Sequence, residues 1–275
     1  MAIEHVVEAT TSTTTALAPV AHDAGIHVAL AAEKVGEFIG IPITNTLLMS
    51  WIVLVILISL AFIVGRNPKM IPGRIQIILE EILTFVKDFV NDNLENEKLS
   101  RRYLPLFLTL FLFIATSNLI EFTPGIGSLG FYRGEEFIPL LRSVNTDLNV
   151  TLALAMIAFV IIEIAGIMAH GVFKYAGKFI TFRGHSIAER LLNFVVGLIE
   201  LVSELSRLVS YSFRLFGNVF AGEVLLAVAT FFVPYLLPVP LMGFELFIGF
   251  VQAAVFALLT LFFIKLAVAD PHGEH

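Results

Sequence analysis

Long apolar runs alternate with short polar connections along this chain, and the lengths of the runs predict its elements. Residues 44–65 are almost wholly apolar, bounded by Pro42 before and by Arg66 and Pro68 after. A run of that length matches a hydrocarbon core roughly 30 Å thick, so it predicts a first spanning helix. Residues 71–95 follow a different rhythm. Ile75, Ile78, Leu79, Ile82, Phe85, Val86, Phe89 and Val90 recur every three or four positions, with Glu80, Glu81, Lys87 and Asp88 between them. That period predicts an amphipathic helix lying at the membrane interface. A second apolar run, 103–122, ends in Asn118, Glu121 and the helix-ending Pro124. Residues 125–145 hold Gly125, Gly127, Gly130, Gly134 and Pro139 and read as a loop. A third run, 147–171, opens with Asp147 and Asn149, and the stretch 174–190 carries Lys174, Lys178, Arg183 and Arg190.

From 186 to 233 no proline interrupts a helical pattern. Such a helix is roughly 70 Å long at 1.5 Å per residue, about twice the hydrocarbon thickness. It fits a bilayer only by tilting steeply or bending. Pro234, Pro238 and Pro240 mark a turn, and 241–269 returns as another long apolar helix. The expected architecture is therefore an all-α polytopic membrane protein. It has one N-terminal spanning helix, an interfacial amphipathic helix and two helical hairpins, the last long and steeply tilted. Residues 1–38, with the Thr-rich tract 10–15, are expected to form an arm. Residues 39–270 form a single membrane domain, and 271–275 a tail.

Composition agrees. The chain is 57% hydrophobic with mean hydropathy +0.90, against about 45–50% apolar in soluble domains. A net charge of -6 without any basic tract argues against nucleic acid as a partner. The absence of cysteine excludes disulfides and thiolate chemistry. The N-terminus has no basic stretch leading into an apolar core, so no cleavable signal peptide is expected. Basic residues set the orientation. Arg66, Lys69, Arg74, Lys87, Lys98, Arg101 and Arg102 fall in one connection, and Lys174, Lys178, Arg183 and Arg190 in another. The opposite side keeps Lys34, Arg133 and Arg142. Five crossings follow, with the N-terminus outside and the C-terminus in the cytoplasm. The composition and the missing presequence favour a bacterial plasma membrane.

The fifth helix carries polar residues through an apolar body. Positions seven apart on a helix lie within about 20° of each other. Glu200, Arg207 and Arg214 follow that spacing, Glu204, Tyr211 and Asn218 add neighbours, and Ser203, Ser206 and Ser210 lie close by. An arginine at membrane depth costs roughly 2.5–3.5 kcal/mol on insertion scales and cannot shed its proton. Arg214 therefore marks a functional position. Glu223 lies nine residues on, about 180° round the helix and roughly 13 Å along it. On the returning helix Glu245 and Gln252 share a face, and antiparallel pairing would set Glu223 near Glu245 and Arg214 near Gln252. Two carboxyls close together at that depth cannot both be ionised cheaply, which suits a proton relay. Gln252 is expected to orient the guanidinium without neutralising it.

The run Ser-Phe-Arg-Leu-Phe-Gly-Asn-Val-Phe-Ala-Gly-Glu at 212–223, followed by Glu245 and by Gln252-Ala-Ala-Val-Phe-Ala-Leu-Leu-Thr260, resembles subunit a of the F-type ATP synthase. Asn118-Leu-Ile-Glu121 and Asp147-Leu-Asn-Val-Thr151 fit the same family in order, and the resemblance spans 44–269. It implies a stator with two offset aqueous half-channels against a rotating ring of c subunits, and a b-type peripheral stalk as a second partner. Arg214 matches the arginine that separates the half-channels. Glu223 and Glu245 match the polar pair of the outer one, where members often carry a histidine at one of the two positions. Asn218, Ser210 and Glu200 match positions towards the cytoplasmic exit, and Asn118, Glu121, Asp147 and Asn149 line the outer inlet. The resemblance implies proton translocation without covalent chemistry by this chain.

Rival functions leave weaker marks. A self-contained proton-coupled transporter calls for a midplane substrate site and often for internal repeats, and no convincing repeat is present. The stretch from Gly171 to Gly177-Lys178 has the wrong spacing for a phosphate-binding loop and Phe179 where Ser or Thr is needed. No His-Glu-x-x-His or Gly-x-Ser-x-Gly pattern supports an intramembrane enzyme. No nucleotide, cofactor or metal is expected on this chain. Glu163 and His170, seven apart on the fourth helix, either extend a polar path or pack the helix, and Arg207 either pairs with Glu200 or Glu204 or reaches for lipid headgroups.

Overall fold

A computed structural model of the chain describes residues 32–38, 40–66, 73–123, 126, 129–133, 136–179 and 186–269. The first 31 residues, with the Thr-rich tract, and the tail with His272 and His275 lie outside the described residues, as do the connections 67–72 and 180–185.

The helices follow the apolar runs. α1 is Asn45–Arg66, α2 Arg74–Leu94, α3 Glu97–Glu121, α4 Leu148–His170, α5 Val172–Phe179, α6 Ile187–Phe232 and α7 Pro238–Val268. Five of them, α1, α3, α4, α6 and α7, are long and apolar enough to cross a membrane. α2 is the amphipathic helix: its charged residues face out, while Val86, Val90 and Leu94 are buried against the core, with the Phe89 ring against Phe107 of α3.

Several boundaries differ from the sequence-based expectation, each for a local reason. α3 starts at Glu97, not 103, because Asn96 caps it: its Oδ1 accepts from the amides of Lys98 and Leu99. α7 starts at Pro238, not 241. The first N–H groups of a helix need no intrahelical partner, so Pro238 and Pro240 are at home there. The arm and the loop also contain strands. β1 (Lys34–Phe38) pairs antiparallel with β2 (Ile41–Thr44), and β3 (Gly130–Arg133) with β4 (Glu136–Pro139). A 3-10 turn at Val144–Thr146 then leads into α4. The stretch 174–190 yields the short α5, set off from α4 by Gly171 at φ 81°.

The long helix is as expected. α6 has 46 residues and opens with a capping box between Ser186 and Glu189. Packing explains its curious exposure. The core lies between α3, α4, α6 and α7, where Ala155, Ala158 and Ala165 on α4 and Ala253 and Ala257 on α7 allow close backbone approach around Phe107, Ile114, Leu215 and Phe256. Among the described side chains of α6, Gly197, Glu204, Tyr211, Ser212, Leu215, Phe216, Val219 and Ala229 are buried, and the others are left uncovered or partly covered by the described residues.

Candidate functional site

A buried polar segment, residues 142–147, forms one wall of the site. It leaves β4, passes through the 3-10 turn and ends as the cap of α4, and all six residues are buried. A loop at such depth needs partners for its polar groups, and it finds them on three helices. Arg142 Nη2 donates to Glu223 Oε2 of α6 at 3.0 Å. The Ser143 hydroxyl is an exception, buried with no hydrogen-bond partner among the described residues. Asn145 Nδ2 donates to Asn118 Oδ1 of α3 at 2.7 Å, and Asn118 Nδ2 donates to the Gly249 carbonyl of α7 at 2.8 Å. Thr46 Oγ1 of α1 donates to Asp147 Oδ2 at 2.9 Å. The other oxygen of Asp147 caps α4, accepting from the backbone and side-chain nitrogens of Asn149.

Three carboxyls meet at this wall. Glu223 and Glu245 lie within electrostatic reach of each other, and both lie within reach of Glu121, as does Arg142. Glu245 is only 9% exposed, and neither of its oxygens has a hydrogen-bond partner among the described residues. Gly222 makes room for it: a Cβ there would overlap the Glu245 carboxyl. A small cleft lined by Asn118, Glu121, Asn218 and Glu245 continues from this cluster along the α6–α7 seam.

Arg214 stands apart. It is exposed on the uncovered face of α6, and its Nη2 donates to Ser210 Oγ one turn back, at 3.3 Å. No carboxylate pairs with it among the described residues. The expected contact with Gln252 is not what the structure has. Gln252 Oε1 instead accepts from Asn218 Nδ2 at 2.6 Å, because Asn218, one turn beyond Arg214, sits level with Gln252 across the seam. Asn218 thus touches both regions: it lines the cleft and lies one turn from the guanidinium.

Towards the other end of α6, Arg207 lies 3.7 Å from Glu200 and its guanidinium sits over the Phe263 ring at 4.8 Å. Glu200 is therefore an ion-pair partner in this structure. Glu204 turns inward and is 3% exposed. Tyr175 of α5 donates to Glu163 Oε2 at 3.0 Å, and burial, reinforced by the negative charge of Glu163 and Glu204, pushes its hydroxyl pKa above the usual tyrosine value. Lys265, near the end of α7, donates to the Asn93 carbonyl and to Glu95, tying α7 to the α2–α3 turn.

Sequence reasoning missed Arg142 and Asn145 as site residues. Arg142 counted only as an outside charge, yet it is 8% exposed and reaches a helix 81 positions away. The available signal was the polar run Arg-Ser-Val-Asn-Thr-Asp set directly before an apolar helix. Nothing in that run announces its depth.

Comparison with known proteins now becomes informative. The ATP synthase A chain family matches residues 47–265. ATP synthase subunit a of Moorella thermoacetica is 33% identical over 224 residues, covering 82% of this chain and 90% of that one. The subunit a of Campylobacter concisus is 31% identical over 224 residues, covering 82% and 89%. The subunit a of Desulforamulus reducens is 31% identical over 253 residues, covering 88% and 87%. The matched stretch runs from the first spanning helix to the last and takes in both the three-carboxyl cluster and Arg214. The chain belongs to the ATP synthase subunit a family and is a multi-pass component of that complex's membrane sector.

Proposed function

We propose that this chain is the stator that carries protons to and from the carboxylates of a rotating c-ring, through two half-channels that Arg214 keeps apart. The observation that carries the reading is the separation on α6. Glu223 turns inward to Arg142 and towards Glu245, whereas Arg214 points out on a face that the described residues leave uncovered. A permanent cation at membrane depth needs an anion or water. The chain supplies no carboxylate to Arg214 among the described residues, and a ring carboxylate passing the uncovered face of α6 meets that need. Its loss of a proton is favoured beside the guanidinium, and a free proton is repelled there.

The outer half-channel runs from Glu121, Asn118 and the Asp147–Asn149 turn through Glu245 and Glu223 to Asn218. The inner one follows Ser210 and Glu200 towards the cytoplasm. Gln252 acts through Asn218, setting the depth at which the cleft meets the ring. The chain performs no covalent chemistry, and ATP is made or hydrolysed elsewhere in the complex. α1 and α2 meet a b-type peripheral stalk. The proposed topology has five crossings, with the basic connections in the cytoplasm, the N-terminus outside and the C-terminus inside a bacterial plasma membrane.

The test is Arg214→Ala in the whole ATP synthase, in inverted membrane vesicles. ATP-driven proton pumping is expected to vanish while the chain still co-purifies with its ring. Pumping at the wild-type rate by an assembled mutant complex refutes the assignment.

A further inference from the structure

Glu223 and Glu245 sit in one cluster but keep different company. Glu223 Oε2 accepts from Arg142 at 3.0 Å, and that guanidinium is buried in a loop held on both sides by other elements. Glu245 has no hydrogen-bond donor on either oxygen among the described residues, and Gly222 leaves it space. Among the described residues, the other charged groups facing the pair are Glu121 and Arg142 itself. We infer that Arg142 is a positioning residue that holds Glu223 as a fixed anion, so that Glu245 rather than Glu223 hands the travelling proton on. This rests on the proton-carrying reading above.

The physical reason is the cost of separating the pair. A half-buried carboxylate joined to a buried arginine loses a charge-assisted hydrogen bond and the attraction of the facing cation if it takes up a proton. The buried arginine would lose the Glu223 charge, and it cannot deprotonate to compensate. Glu245 faces no such barrier, because no cation or donor fixes it in one state. In each transfer one proton arrives on a Glu245 oxygen and the same proton leaves towards the cleft at Asn218. Glu223 remains ionised and Arg142 remains protonated throughout.

The consequence is a rescue that a proton carrier would not permit. Arg142→Gln leaves the half-buried Glu223 carboxylate without the facing guanidinium, free to compete for the travelling proton. Arg142→Gln with Glu223→Gln replaces the ion pair by two amides that can still hydrogen-bond. ATP-driven pumping is measured in vesicles carrying the whole complex, with assembly checked by co-purification of the ring. The double variant is expected to pump at least roughly fivefold faster than Arg142→Gln alone. A double variant no faster than the single overturns the inference, because Glu223 would then itself carry the proton. Should Arg142→Gln fail to assemble, Glu223→Gln and Glu245→Gln are compared directly with Arg142 in place. Glu245→Gln is expected to be the slower by at least roughly fivefold, and equal or reversed rates overturn the inference. Arg214→Ala in the same vesicles keeps the two levels separate. The functional reading falls only if that variant still pumps, whatever the Arg142 variants do.

Discussion

In the segment 142–147, Arg142, Asn145 and Asp147 meet side chains of α6, α3 and α1. On the uncovered face of α6, Ser206 and Arg214 find their partners on their own helix, at Val202 and Ser210. The first region is a polar interior that one chain can complete. The second is a polar surface, costly in lipid, that makes sense only with something against it. Polar groups buried by the fold specify where helices sit, and polar groups left on an apolar face specify what must bind there. The same helix serves both purposes, since positions nine apart face opposite ways.

That contrast can be sharpened by substitution, beginning with the largest effect. Arg214→Lys should abolish pumping almost as fully as Ala, by on the order of a hundredfold, because a desolvated lysine can deprotonate and lacks the planar fork. Retention of half the wild-type rate in reconstituted vesicles would show that a bare positive charge is enough. Next comes Gly222→Ala, whose new Cβ overlaps the Glu245 carboxyl. A misplacement of about 1 Å can slow a transfer up to a hundredfold, and a loss of roughly tenfold in pumping is expected. Gly243→Ala on α7, where a Cβ meets nothing within 4 Å, is the matched control.

Asn118→Ala removes two buried hydrogen bonds, to Gly249 and from Asn145. Leaving their partners unsatisfied costs about 1–3 kcal/mol, which should appear as a lower thermal midpoint of the purified complex in detergent. Smallest of all is Ser206→Ala. Its hydroxyl only bonds back to the Val202 carbonyl from an exposed position, so the stability change should stay within about 0.5 kcal/mol. Equal losses at Asn118 and Ser206 in the same melting experiment would erase the distinction between the two regions.

How much of this was legible in the chain follows from the same contrast. The lengths of the apolar runs located all five spans, because a bilayer fixes how long such a run must be. The Arg214 stripe was legible too, since an arginine among phenylalanines and leucines has no structural excuse. The inward cluster was only half legible. Glu223 and Glu245 could be paired by counting back from Pro234, but Arg142 lies in a loop, where no period reports depth or direction. Two prolines misled in the other direction. Pro238 and Pro240 suggested a turn, yet the first turn of a helix tolerates them. Gln252 was set against Arg214 by register alone, and a shift of one turn gave it to Asn218 instead.

The central claim is that the face of α6 bearing Arg214 meets the rotor, while the 142–147 segment stays inside the chain. Because the chain contains no cysteine, disulfide cross-linking can test it without competing thiols on this chain. A cysteine replacing Ser210 and one placed beside the ring's ion-binding carboxylate should form a disulfide under mild oxidation of the intact complex, and a cysteine replacing Asn145 should form none. A disulfide from position 145 and none from position 210 would contradict the account.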